Sequence, residues 1–187
     1  MCIRDSLQRA FVEDLKYSPD GSRLAAATRE GATTLFAVSA EKEKDEEKDA
    51  SEGRRAYRAV ARLEGHSAAV RHVDWSEDSS ALATDGADYE VLYWDAETGR
   101  QTTNARRDAR WAEWTRALGF PVMGVWAPES DGTDVNATHA DPDGRLLVTA
   151  DDRGEVKLFA FPCVVEGAGF KSYRGHASFV ELSLIHI

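Results

Sequence analysis

The chain has 187 residues, 42% of them hydrophobic and 30% charged, which is enough apolar material for one ordinary domain with a real core. Its formal net charge is −10, from 33 acidic against 23 Lys and Arg residues, and that balance argues against a nonspecific grip on nucleic acid or anionic membrane. No apolar run approaches the ~20 residues of a membrane-spanning helix; the two cysteines, Cys2 and Cys163, cannot build a disulfide framework, so a reducing, intracellular setting is the default.

In chain order, residues 1–6 lack the apolar stretch of a secretory signal and read as a non-native tip. Residues 7–62 form a first unit: a strand from Val12 to Tyr17, a Ser18-Pro19-Asp20-Gly21 turn, a small-residue strand from Arg23 to Thr28, and a strand through Thr34, Leu35 and Phe36. Within it, residues 40–53 are a charged, low-complexity loop; Glu41 to Glu52 alone holds seven acids against three lysines. Residues 63–103 repeat the grammar with Val70 to Trp75, Ala81 to Thr84 and Val91 to Asp95. Residues 104–174 repeat it again, from Val135 through Asp141-Pro142-Asp143-Gly144 and Arg145 to Thr149, to Val156 through Phe159. This third unit opens with an insertion that carries Trp111, Trp114, Phe120, Met123 and Trp126 and must pack against something. Residues 175–182 begin a fourth unit, and residues 183–187 drift from the pattern and read as a second non-native tip.

Short, evenly punctuated strands without helical periods predict an all-β array. In the second unit Gly65-His66 precedes the first strand and Trp94-Asp95 closes the third, 28 positions after His66. That pairing, inside a threefold repeat, is the signature of a WD40 repeat, one four-stranded propeller blade. The expected fold is therefore a WD40 β-propeller fragment: about three four-stranded antiparallel blades plus the start of a fourth, with the ring not closed.

The runs Asp88 to Asp95, Trp111-Ala112-Glu113-Trp114-Thr115, Leu118-Gly119-Phe120, Gly124-Val125-Trp126, Ser130 to Asn136 and Phe170 to His176 resemble the atypical blades of the echinoderm microtubule-associated protein-like family. The resemblance covers roughly Val12 to Val180. It implies two fused propellers forming one tubulin-binding body, with this stretch near the end of the second. It also implies a noncatalytic scaffold with tubulin or microtubules as partner, in the cytoplasm and cytoskeleton. A generic WD40 adaptor for a peptide or protein partner in signalling or ubiquitin transfer is the alternative.

His66, Thr84, Asp88 and Trp94 match the structural tetrad of WD40 blades, in which the carboxylate, imidazole, hydroxyl and indole form one hydrogen-bonded chain. The first unit has Glu30 and Phe36 at equivalent positions. In the third, Asp131 replaces the histidine, Phe159 replaces the tryptophan, and Asp152 keeps the turn position without an imidazole partner. No catalytic site, cofactor site or metal site is expected: His72, His139 and His186 lack a second ligand at metal spacing, and no glycine-rich phosphate loop occurs. No nucleic acid, membrane or small-molecule substrate is expected either. The pairs Asp151-Asp152 and Asp141/Asp143 read as solvated turn acids. The five tryptophans read as packing between blades, and Cys163 reads as a small buried hydrophobe. Two arginine clusters, Arg54, Arg55, Arg58 and Arg62, and Arg106, Arg107, Arg110 and Arg116, read as solvated faces with tubulin contact as the alternative. Tyr89, as an aromatic anchor, and Arg153, as a charged fork, are the candidate partner contacts.

Overall fold

A computed structural model describes residues 10–40, 55–103, 109–128, 131 and 134–180. The two tips at 1–6 and 183–187 and the acidic stretch 41–54 lie outside the described residues. Three four-stranded antiparallel sheets follow one another along the chain. The first contains β1 (Val12–Tyr17), β2 (Arg23–Thr28), β3 (Ala32–Ala40) and β4 (Arg55–Glu64). The second contains β5 (Val70–Trp75), β6 (Ala81–Gly86), β7 (Val91–Asp95) and the two-residue β8 (Gln101–Thr102). The third contains β9 (Val135–Ala140), β10 (Leu146–Asp151), β11 (Glu155–Ala160) and β12 (Phe170–Arg174). These are three propeller blades in an open array. The first sheet runs past the 62/63 boundary drawn from the sequence, because β4 keeps pairing with β3 as far as Ala32 opposite Glu64. Residues 175–180 carry no strand and fold back over the third sheet, with the Val180 N–H donating to the Asp151 carbonyl at 3.1 Å.

Each blade is built by the same local chemistry. The first turn is fastened by an aspartate: Asp20 accepts from the Ser22 N–H at 2.9 Å, Asp78 from the Ser80 N–H at 3.0 Å, and Asp141 from the Arg145 and Leu146 N–H groups at 2.6 and 2.7 Å. Short polar side chains that bond nearby backbone favour such turns over a continuing strand. Pairing registers make Leu24, Leu82 and Leu147 equivalent, and opposite them stand Phe36, Trp94 and Phe159.

The core divides unevenly. One buried apolar cluster spans the first and second sheets: Ala25, Ala27, Leu35 and Leu63 from the first meet Val70, Val73, Trp75, Leu82 and Trp94 from the second. The alanines of β2 let the two sheets approach closely. Each fully buried Leu, Val or Trp contributes on the order of 1.5–3 kcal/mol. A second cluster joins Trp114, Val122 and Val125 to Ala140, Leu147 and Phe159 of the third sheet and to Cys163 in the connection between β11 and β12, with Trp111 and Trp126 packed against it. The aromatic insertion thus covers the third blade on the side facing the second, and includes a 3-10 helix over Phe120–Val125. All five tryptophans pack in or against these two clusters.

Candidate functional site

The second blade carries a continuous polar chain at the end opposite the aspartate-fastened turns. Trp94 at the end of β7 donates its indole N–H to the Thr84 hydroxyl at 2.9 Å. Thr84, on β6, lies 2.8 Å from His66 Nε2. The other imidazole nitrogen, Nδ1, lies 3.0 Å from both oxygens of Asp88. With the proton on Nδ1, the indole donates to threonine, threonine to Nε2, and Nδ1 to the carboxylate, so every group in the chain is used. Asp88 also accepts the Ser67 N–H at 2.8 Å and the Glu90 N–H at 3.2 Å. The network therefore clamps the 65–69 loop to the 86–90 turn.

Burial opposes ionisation of Asp88, but the bonds from His66, Ser67 and Glu90 outweigh it and hold the carboxyl below its ordinary value. A lowered folded pKa gives stability that is complete above the unfolded value, about 4, and is lost as pH falls through the folded one. Asp88→Asn is expected to lower stability at neutral pH by about 1.5–3 kcal/mol, the worth of hydrogen bonds to a charged group. Urea melts across pH 3 to 7 check this: the variant's profile should be flatter on the acid side than the parent's.

Among the described residues, the other two blades show no such network, and phenylalanine stands in the tryptophan place in both. By strand register, Glu30 and Arg153 stand where Asp88 stands, so Asp152 falls one position earlier than the tetrad aspartate. Asp152 accepts the Asn136 side-chain amide at 2.8 Å. Asp151 is buried, not solvated as its turn placement predicted: it accepts the Arg153 and Glu155 N–H groups and pairs with Lys157 at 2.7 Å. The third blade's turn is held by that ion pair in place of an imidazole.

The turns at this end share one further property. In each, the fourth residue donates its N–H back to the first: Gly31 to Thr28, Tyr89 to Gly86, Gly154 to Asp151. All three have positive φ, at 84°, 62° and 75°. Glycine suits two of them doubly, since a Cβ at Gly31 would stand 2.9 Å from the His66 and Ala68 carbonyl oxygens, and one at Gly154 would stand 2.7 Å from the Ser178 oxygen. Tyr89 adopts the same left-handed conformation without being glycine, at a cost of roughly 1 kcal/mol. Its side chain is 55% exposed. Arg153 is exposed on the corresponding turn of the next blade. The structure puts the two candidates at one end of neighbouring blades without bringing them into contact.

The described residues align along nearly their whole length with known sequences. The family described as the echinoderm microtubule-associated protein second beta-propeller matches residues 3–182.

The chain belongs to this family.

Among its relatives, the 77 kDa echinoderm microtubule-associated protein of Lytechinus variegatus is 40% identical over 168 residues, which is 89% of this chain and 24% of that protein. Human echinoderm microtubule-associated protein-like 2 is 39% identical over 168 residues, again 89% of this chain and 24% of the relative. Human echinoderm microtubule-associated protein-like 1 is 38% identical over 168 residues, covering 89% and 19%. The chain thus spans about a quarter or less of these relatives.

Sequence reasoning missed a second polar cluster, between the blades. Arg116 is fully buried, which corrects its reading as part of a solvated arginine face. Its Nε donates to Asp74 at 2.8 Å, and its guanidinium carbon lies 4.5 and 4.1 Å from the ring centres of Trp111 and Trp114. Asp74 also pairs with Lys16 at 2.9 Å. Close by, His72 Nδ1 lies 2.8 Å from Asp85. Burial resists charging of His72, but Asp85, with Asp14 and Asp74 behind it, outweighs burial and raises its pKa above the ordinary value. These groups face one another inside the blade array. Burial pushes the Cys163 thiol up, away from the reactive thiolate. Among the described residues, no group of three His, Cys, Asp or Glu side chains is placed to hold a metal ion.

Proposed function

We propose that this chain is a noncatalytic part of a microtubule-associated scaffold and that it contacts tubulin through the blade end that carries the tetrad. The loops at 67–69, 85–89, 151–154 and 178–179 form that end, and Tyr89 and Arg153 are its contacts. The observation that carries the reading is Tyr89. A bulky residue held exposed in a left-handed conformation, where both sister turns use glycine, is strain of the kind found at binding surfaces. Aromatic and guanidinium side chains are those that most often dominate protein interfaces. The names of the family's members, microtubule-associated proteins, support tubulin as the partner and the cytoplasm and cytoskeleton as the location.

Microtubule co-sedimentation tests this reading, with full-length human echinoderm microtubule-associated protein-like 2 as the comparison and circular dichroism to check folding. The chain should pellet with microtubules, and Tyr89→Ala combined with Arg153→Ala should weaken binding about tenfold or more, as for interface anchors. Unchanged affinity in the double variant overturns the assignment of these two residues. A folded chain that stays soluble while the relative pellets places the tubulin contact outside these blades.

A further inference from the structure

The two junctions between the three blades are made of different material. Between the first and second sheets the junction is an apolar cluster supplied by both sheets, to which the Trp75 indole donating to the Lys16 carbonyl at 3.1 Å, the Val73 N–H donating to Asp14 at 2.9 Å and the Lys16–Asp74 ion pair at 2.9 Å are added. Among the described residues, no buried apolar cluster draws side chains from both the second and third sheets. There, the segment 110–118 lies between them as a strap.

The strap's attachments sort by chemistry. Its apolar side belongs to the third blade, where Trp114 packs with Leu147 and Phe159. Backbone bonds extend that attachment: the Ala140 N–H donates to the Trp114 carbonyl at 3.0 Å, and the Thr138 hydroxyl to the Arg116 carbonyl at 2.8 Å. Toward the second blade the strap's holds are mostly polar. Asp74 accepts the Thr115 N–H and hydroxyl, the Arg116 N–H, and the guanidinium Nε. Asp85 accepts the Leu118 N–H at 3.2 Å, and the Ala112 N–H donates to the Trp75 carbonyl at 2.9 Å. The Trp111 ring, 6.0 Å from Tyr93, adds an aromatic contact.

We infer that the second and third blades are joined by a polar seam, with Asp74 and Asp85 as carboxylate sockets for the strap, and that the array opens there first. When it opens, the strap leaves with the third blade, because its apolar side stays packed, while the first and second blades stay joined by their shared core. Buried charged contacts suit such a role: they hold only in one geometry, whereas an apolar contact tolerates sliding. The seam gives the array a defined hinge.

Hydrogen exchange on the whole chain tests this, read as separate rates for the three sheets. Arg116→Met removes the cation from the Asp74 socket and leaves Lys16 as its counter-ion. It should accelerate exchange about tenfold or more in residues 111–126 and in β9 to β12, while β2, β3, β5 and β6 change by less than about threefold. Thr115→Val, which deletes one hydroxyl contact with Asp74, should show the same pattern at smaller amplitude, and it decides the matter if Arg116→Met does not fold. As a control, Leu82→Ala should accelerate the first two sheets, whose shared cluster it empties. Equal acceleration of all three sheets in the strap variants, or no acceleration of the third, overturns the inference.

Discussion

Trp94→Ala is expected to lower stability by about 3–5 kcal/mol, the range for truncating a large buried aromatic. The ring is 2% exposed and sits in the cluster shared by the first two blades, so its removal empties volume that two sheets border. The same change cuts the indole from Thr84 and so breaks the tetrad at one end. Trp94→Phe separates these effects. The equivalent positions of the sister blades are Phe36 and Phe159, both buried, so this blade geometry accepts a phenyl ring. The phenylalanine variant should lose only about 1–2 kcal/mol, for one hydrogen bond and the smaller ring. Chemical denaturation of the three proteins measures both steps; near-equal losses for Ala and Phe would mean that the hydrogen bond, not the packing, dominates.

Asp74→Ala should cost a comparable amount, about 3–5 kcal/mol, for a different reason. Its carboxylate is fully buried between Lys16 and Arg116, at 2.9 and 2.8 Å, and the Arg116 side chain is itself fully buried. Two terminal guanidinium nitrogens, Nη1 and Nη2, already lack a hydrogen-bond acceptor. Removing the carboxylate leaves that cation with the tryptophan rings alone. Burial disfavours the ionised Asp74, but the two cations outweigh burial and hold its carboxyl far below the ordinary carboxylate range. The stability it supplies is therefore complete above the unfolded pKa of about 4 and is lost as pH falls through the much lower folded value. Thermal melts from pH 2 to 7 should show a steep acid-side decline in the parent and a shallower one in Asp74→Asn.

The blades were legible in the sequence because their signals are local. A Ser-Pro-Asp-Gly turn, an alternating strand and a small-residue strand each report their own neighbourhood, and the threefold repetition makes them mutually corroborating. The hydrogen-bonding partners His66, Thr84, Asp88 and Trp94 were legible through the same repetition, although 28 residues separate the outer two. The Lys16–Asp74–Arg116 cluster was not. Its members come from two blades and an insertion, and counting charge assigns an arginine beside other arginines to solvent. A signal was present: Arg116 follows Trp111 and Trp114 in an apolar segment, and a cation among tryptophans within such a segment finds its place over the rings. The adjacent Asp151 and Asp152 hide the turn's register in the sequence, and only the pairing of Leu147 with Phe159 fixes which residue of the turn corresponds to Asp88. Tyr89 stands out in the sequence by its chemistry alone; its left-handed backbone is not legible from residue type, since tyrosine is a poor fit there.

The unlike junctions also give the array a thermal character. Apolar association weakens on cooling, because its driving force near room temperature is entropic, whereas paired and hydrogen-bonded charges do not share that loss. Cold thus loosens the contact that holds Leu35 and Leu63 against Val73 and Trp94, and leaves Asp74 and Arg116 gripping one another. Warming restores the first contact. The two junctions of one chain therefore answer temperature differently.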